Sequence, residues 1–226
     1  MDAWRRQRLC AATAAAAWLI SGVLYLILEG LAAKSFRYHY SYAHNSISDL
    51  GVSSRGTFQG HMIDSPLAYL MNTAFYVQGT LFLVGAILIV RAMQSHGTGL
   101  FIAVATANAV GNLLVASVHS GPMAKADGTA WLHYTGAVLA IGGGNVAIFA
   151  GSAILGNALA GQRYRGISVG IGVLGVLSIA MLVTDTATGA THILPAGAWE
   201  RGSVYSIIVW QMFTAAYLVR FVRRRC

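Results

Sequence analysis

The sequence predicts an all-α polytopic membrane protein, a single bundle of six transmembrane helices over residues 1–226 with both chain ends in the cytoplasm. Three observations predict it. Hydrophobic residues make up 56% of the chain and charged residues only 10%, with a mean hydropathy of +0.61. A soluble domain carries about 25% charged residues, so a water-facing globule is excluded, and the same apolar content excludes disorder. The second observation is a series of apolar runs of membrane-spanning length. The third is the way basic residues divide between the connections.

A hydrocarbon core takes about 20 apolar residues per helix. Six runs meet that length, at residues 10–31, 67–90, 99–118, 131–156, 167–184 and 203–222. None shows the alternation of outer-membrane strands. The first run follows Arg5, Arg6 and Arg8 but is read as a helix rather than a signal peptide. It is long, lacks a clean small-residue cleavage site, and ends in Glu29 and then Lys34.

With the N-terminus inside, Arg5, Arg6, Arg8, Arg91, Arg163, Arg165, Arg220, Arg223, Arg224 and Arg225 fall in inner segments. Lys34, Arg37, Arg55, Lys125 and Arg201 fall outside, a division of ten to five that sets the orientation. The net charge of +8 is therefore topological; no soluble basic patch offers itself to nucleic acid. Arginine outnumbers lysine 13 to 2 in an alanine- and glycine-rich chain, which fits a bacterial cytoplasmic (inner) membrane. Cys10 and Cys226 lie beside basic clusters on the reducing side and are expected as free thiols.

Reactive residues segregate the other way. Only His96 among the seven histidines, and only Asp2 among the acids, falls inside. The long outer connections, residues 34–65, 119–130 and 185–202, hold or border the rest, and Pro66, Pro122 and Pro195 lie in or beside them. A functional site is expected at that end.

The densest stretch runs from Tyr38 to Gly51. Tyr38, Tyr40 and Tyr42 suit the interfacial aromatic belt. Asn45, Ser46, Ser48 and Asp49 suit backbone capping, and Gly51 suits a turn. The segment is either a capped turn held against the bundle or a turn that places Ser46, Ser48 or Asp49 in a pocket; the two are compatible. Its Asn45-Ser46-Ile47-Ser48-Asp49-Leu50-Gly51 run resembles the opening motif of domain-of-unknown-function family 998. The resemblance continues with a histidine after the third helix, His119 or His133, and with Gly197-Ala198-Trp199-Glu200-Arg201-Gly202 before the last helix. It spans nearly the whole chain and implies a multispanning prokaryotic membrane protein of uncertain function. The same turn in a six-helix frame is also similar to Sfk/DRAM-type membrane proteins.

Asn108, Asn112 and His119 follow at spacings of four and seven, on one helical face. Amides inside a bilayer need partners, so this face points into the bundle. It is either interhelical glue or the wall of a pocket closing on His119. His133 opens the fourth helix, followed by a seam of Ala137, Ala140, Gly144, Ala147 and Gly151. Arg201 is expected to pair with an acid, and Glu29 is the acid placed deepest in the membrane, where acids are paired or functional. Asn72, Gln78, Asn145 and Gln211 add polar contacts within the bundle.

Asp49, His119, His133, His192 and Glu200 form the candidate catalytic set, expected to line one cavity. Glu29, Ser46, Ser48, Asn108, Asn112, Asp185 and Arg201 are the candidate substrate contacts. The histidines with Asp49 or Asp185 could supply zinc ligands, but no paired-histidine helix motif is present. Neither a metal nor a cofactor is indicated. The chain reads as an enzyme performing acid–base chemistry on a lipid or isoprenoid, or as a non-catalytic lipid-binding or accessory protein. Its partners are membrane lipid and, in the accessory case, another protein; the oligomeric state is not indicated.

Overall fold

A computed structural model describes residues 3–58, 60–95, 97–159, 161–191 and 193–224, the side chains of 157–159 and 224 excepted. Its helices are α1 (Ala3–Ser35), α2 (Ala68–Met93), α3 (Gly99–Ser117), the short α4 (Pro122–Ala126), α5 (Ala130–Leu159), α6 (Gly161–Thr188) and α7 (Ala196–Arg224). All but α4 are long and apolar enough to cross a membrane, which makes six candidate spans among the described residues. Several outrun their apolar segments. Extending a nucleated helix adds a hydrogen bond per residue fixed, and arginine side chains can lie back along the helix with their heads at the interface. Arg8 does this over the Trp4 ring, 4.5 Å from its centroid.

An even number of spans puts both described chain ends at one end of the bundle, the terminal end. The connections 36–67, 118–129 and 189–195 share the opposite, loop end. Successive spanning helices pack side by side, α1 closes against α7, and α5 also touches α7. α6 gives the bundle only a narrow stripe of Tyr164, Ser168, Gly172, Gly175, Ser178 and Asp185. Its Leu174, Leu177 and Val183 stay exposed. In water such a face would be a liability; in a bilayer it meets acyl chains.

The first loop-end connection is folded. A 3-10 turn at Ser48–Gly51 is followed by an antiparallel hairpin, β1 (Gly56–Phe58) and β2 (His61–Ile63), with Gly56 opposite Ile63 and Phe58 opposite His61. The hairpin was not foreseen, though the class remains all-α. Ile47, Leu50, Phe58 and Ile63 drop into the bundle mouth against Tyr25, Met71, Phe75 and Ile208.

The core near the terminal end is aromatic. Trp18 stacks on Phe82 at 5.4 Å and tilts against Trp210 at 5.2 Å. Each indole N–H has a buried acceptor, Trp18 donating to the Phe82 carbonyl (3.0 Å) and Trp210 to Ser168 Oγ (3.1 Å). Between the two ends runs the small-residue seam of α5. A Cβ on Gly144 would come within 2.9 Å of Asn108 Nδ2 and 3.0 Å of Ile207 Cγ1, so three helices meet there because the side chain is absent. Cys10 is a half-buried free thiol; Cys226 lies outside the described residues.

Candidate functional site

The loop end is organised by a buried charge pair. Glu29 on α1 is 1% exposed, and a carboxylate at that depth needs partners. Arg201 on α7 donates to it from Nε (3.2 Å), and Tyr205 donates through its hydroxyl (2.9 Å). Arg201 Nη1 reaches the carbonyls of Tyr42 (2.7 Å), Asn45 (2.9 Å) and Gly197 (3.1 Å), and Nη2 bonds the Tyr40 hydroxyl. The Tyr40 and Tyr42 rings flank the guanidinium at 5.4 and 4.8 Å. Both tyrosines, expected as interfacial anchors, are thus turned to the cation, although Tyr42 stays partly exposed. Burial pushes the Tyr40 phenol well up against the opposing pull of Arg201. It keeps its proton and donates it to the Ser46 carbonyl at 2.8 Å. Gly197 permits the docking, since a Cβ there would fall 2.8 Å from the Ala43 carbonyl oxygen.

Asp49 organises the turn within this docked segment. Its Oδ2 accepts from the Ser46 backbone N–H (3.2 Å), from Asn45 Nδ2 (3.4 Å) and from His61 Nε2 (2.9 Å). Because a carboxylate only accepts, Nε2 of His61 carries a proton at this contact. A base oriented by a buried acid is the pairing used in nucleophile activation.

A cavity of about 290 Å³ lies beneath the turn, between α1, α2, α3, α5, α6 and α7. His61 and His133 both line it. His133 is 3% exposed and donates from Nδ1 to the Val118 carbonyl at 2.7 Å. That bond fixes the tautomer and leaves Nε2 as the free nitrogen. Glu200 lines the cavity too; its Oε2 accepts from the Ile47 N–H at 3.0 Å, and its Oε1 has no protein hydrogen-bond partner among the described residues. Ser46, Ser48 and Ser120 add a chain of hydroxyls, with Oγ–Oγ distances of 3.0 Å from Ser46 to Ser48 and 3.4 Å from Ser120 to Ser48. Asn108 and Asn112 face it from α3. Apolar walls come from Phe58, Phe75, Ile141, Val204 and Ile207, and the exposed His44, Tyr134 and Thr186 mark the mouth.

The structure therefore gathers Ser46, Ser48, Asn108, Asn112, His133 and Glu200 at one cavity. Five other expected residues do not line it. Glu29 and Arg201 are consumed by each other and by the loop. Asp49 stands behind His61. Asp185 is buried on α6 and does not line the cavity. His119 leaves the Asn108 and Asn112 face because α3 ends at Ser117 and Val118 is extended (φ −115°, ψ 97°). Its Nε2 lies 2.9 Å from Asn72 Nδ2 and 3.1 Å from the Ala116 carbonyl, bracing α2 against the end of α3. His192 lies outside the described residues.

Sequence reasoning missed His61, Ser120 and Tyr25 as site residues, and took Gln78 only as a bundle contact. No spacing motif links His61 to Asp49, 12 residues away through the hairpin. Among the described residues no group of three or more His, Cys, Asp or Glu side chains is close enough to hold a metal ion. No curated protein and no solved structure matches the chain. One family does: its model matches residues 19–217, nearly the whole bundle and all of the docked connection, and the chain thus belongs to the family described as Protein of unknown function (DUF998).

Proposed function

We propose that this multi-pass membrane protein is an enzyme performing acid–base chemistry on a lipid or isoprenoid amphiphile held in the loop-end cavity. One observation carries the reading. Two imidazoles, His61 and His133, border the same cavity, and each has one nitrogen engaged by a protein acceptor and the other without a protein partner among the described residues. His61 or His133 would take the proton of an attacking hydroxyl, and Glu200 would hold a polar group of the substrate. The apolar walls suit a hydrocarbon chain. Positioned proton transfer of this kind contributes roughly 10²–10⁴-fold in rate.

The test is turnover of lipid extract by the purified protein in nanodiscs, followed by mass spectrometry. His61→Ala and His133→Ala should each lower turnover by roughly 10²-fold or more while the melting temperature holds. A protein that retains a lipid but never converts it is the non-catalytic binder instead.

The site is proposed to face the outside of a bacterial inner membrane. In a background lacking Cys10 and Cys226, a cysteine at Lys125 should react with an impermeant thiol reagent on intact cells, and one at Arg163 should not. The reverse pattern would place the cavity on the cytoplasmic side.

A further inference from the structure

We propose that the cavity selects an uncharged amphiphile whose head carries several hydroxyl groups, a sugar or polyol, and rejects a phosphate head. The proposal rests on the reading that the cavity takes an amphiphile, and it concerns which one.

The argument follows the direction of the hydrogen bonds. The Trp18 carbonyl can only accept, so Ser21 donates to it at 3.4 Å. Ser21 Oγ then accepts from Gln211 Nε2 at 2.7 Å, and Gln211 Oε1 accepts from Gln78 Nε2 at 2.7 Å. The chain ends on Gln78 Oε1, which is buried at the cavity without a protein partner. Asn108 repeats the pattern: Nδ2 donates to the Ala140 carbonyl at 2.6 Å, and Oδ1 is left buried and unpartnered. Asn112 spends Nδ2 on the Asn108 carbonyl at 2.9 Å. The Ala140 and Asn108 carbonyls and, through Gln211 and Ser21, the Trp18 carbonyl fix which way these amides point, and at Gln78 and Asn108 the amide oxygen is left without a protein donor.

Glu200 Oε1 and His133 Nε2 add two more acceptors. The protein's own donors there include hydroxyls, among them that of Tyr25, 2% exposed and without a protein partner. Among the described residues no lysine or arginine lines the cavity. Arg201 donates from Nε to Glu29 and from Nη1 and Nη2 to the docked loop. A phosphate brought here would meet a carboxylate and amide oxygens with no cation to offset its desolvation. A head with several O–H groups supplies what the unpartnered acceptors lack. A single ammonium would satisfy Glu200 but cannot serve acceptors contributed by α2, α3 and α7 together.

Native mass spectrometry from a polyoxyethylene detergent, which carries no competing sugar, tests this. Monoglucosyl diacylglycerol, phosphatidylglycerol and phosphatidylethanolamine of matched acyl chains are titrated in turn. The glucosyl lipid should bind roughly tenfold or more tighter than either phospholipid. Asn108→Leu should erase most of that preference. Tyr25→Phe removes only a hydroxyl that has no protein partner, so the fold should survive, and the glucosyl lipid should weaken by roughly three- to tenfold. Equal or tighter binding of either phospholipid overturns the proposal, as does a sugar preference that both variants leave intact. Turnover dependent on His61 without sugar preference would sink this inference and leave the enzyme. Sugar-selective binding without turnover would do the opposite.

Discussion

Around Trp18, Phe82 and Trp210 the bundle is filled with ring carbons and alanine methyl groups, and the two indole N–H groups are satisfied. Around Glu29, Arg201 and Asp49 it is filled with hydrogen bonds, and buried oxygens at or beyond mid-depth remain unpartnered, those of Tyr25, Gln78 and Asn108 among them. Both regions sit in one six-helix frame. In a bilayer, apolar burial does not by itself distinguish a helix partner from lipid. The terminal end therefore gets its specificity from shape, and the loop end from matched donors and acceptors. A core built on shape should suffer from altered volume, and a polar network from a missing partner.

The largest effect should come from breaking the charge pair. Arg201→Met strands Glu29 and unties the loop, at a cost of about 3–5 kcal/mol, read as thermal unfolding in detergent. The double variant Glu29→Leu/Arg201→Met should recover much of that stability, because no lone charge is left. Protease cleavage in the connection 36–67 should still rise in both, since the tie to the Tyr42 and Asn45 carbonyls is gone. Full recovery of protection would mean that apolar packing of the loop is enough.

Next is Gly144→Leu, at the boundary between the two regions. Overpacking against Asn108 and Ile207 should cost about 1–3 kcal/mol. Unchanged stability would show that α5 can move away from α7. Trp18→Phe leaves a void beside Phe82 and Trp210 and strands the Phe82 carbonyl, for about 1–3 kcal/mol; unchanged stability would contradict a core governed by shape. Smallest is Tyr76→Phe, which breaks a 2.8 Å bond to Ser117 on the exposed face. It should stay within about 0.5 kcal/mol.

The spans were legible because length and hydropathy are properties of contiguous residues. The seam around Gly144 was legible for a similar reason, since one helix carries it. The charge pair was half legible. Glu29 was recognisable as an intramembrane acid and Arg201 as the cation needing one, but 172 residues separate them. His119 misled because a periodic face was extended past the point where α3 stops. Asp49 was found as a turn residue, whereas its histidine comes from the hairpin, a pairing that chain reversal creates and no local pattern announces. The unpartnered oxygens of Gln78 and Asn108 were beyond reach, because they depend on which way each amide turns.

The Arg201 tie also has a consequence for biogenesis. Asn45 and Arg201 lie 156 residues apart in the chain. At synthesis rates of about 5–20 residues per second, the loop waits roughly 8–30 s for its anchor. Until α7 inserts, Glu29 has neither Arg201 nor Tyr205 beside it, and the roof of the cavity has nothing to hold it down. A partly made chain therefore carries an open vestibule with a stranded carboxylate at its edge. Insertion of the final helix is what adds the sixth span and roofs the cavity.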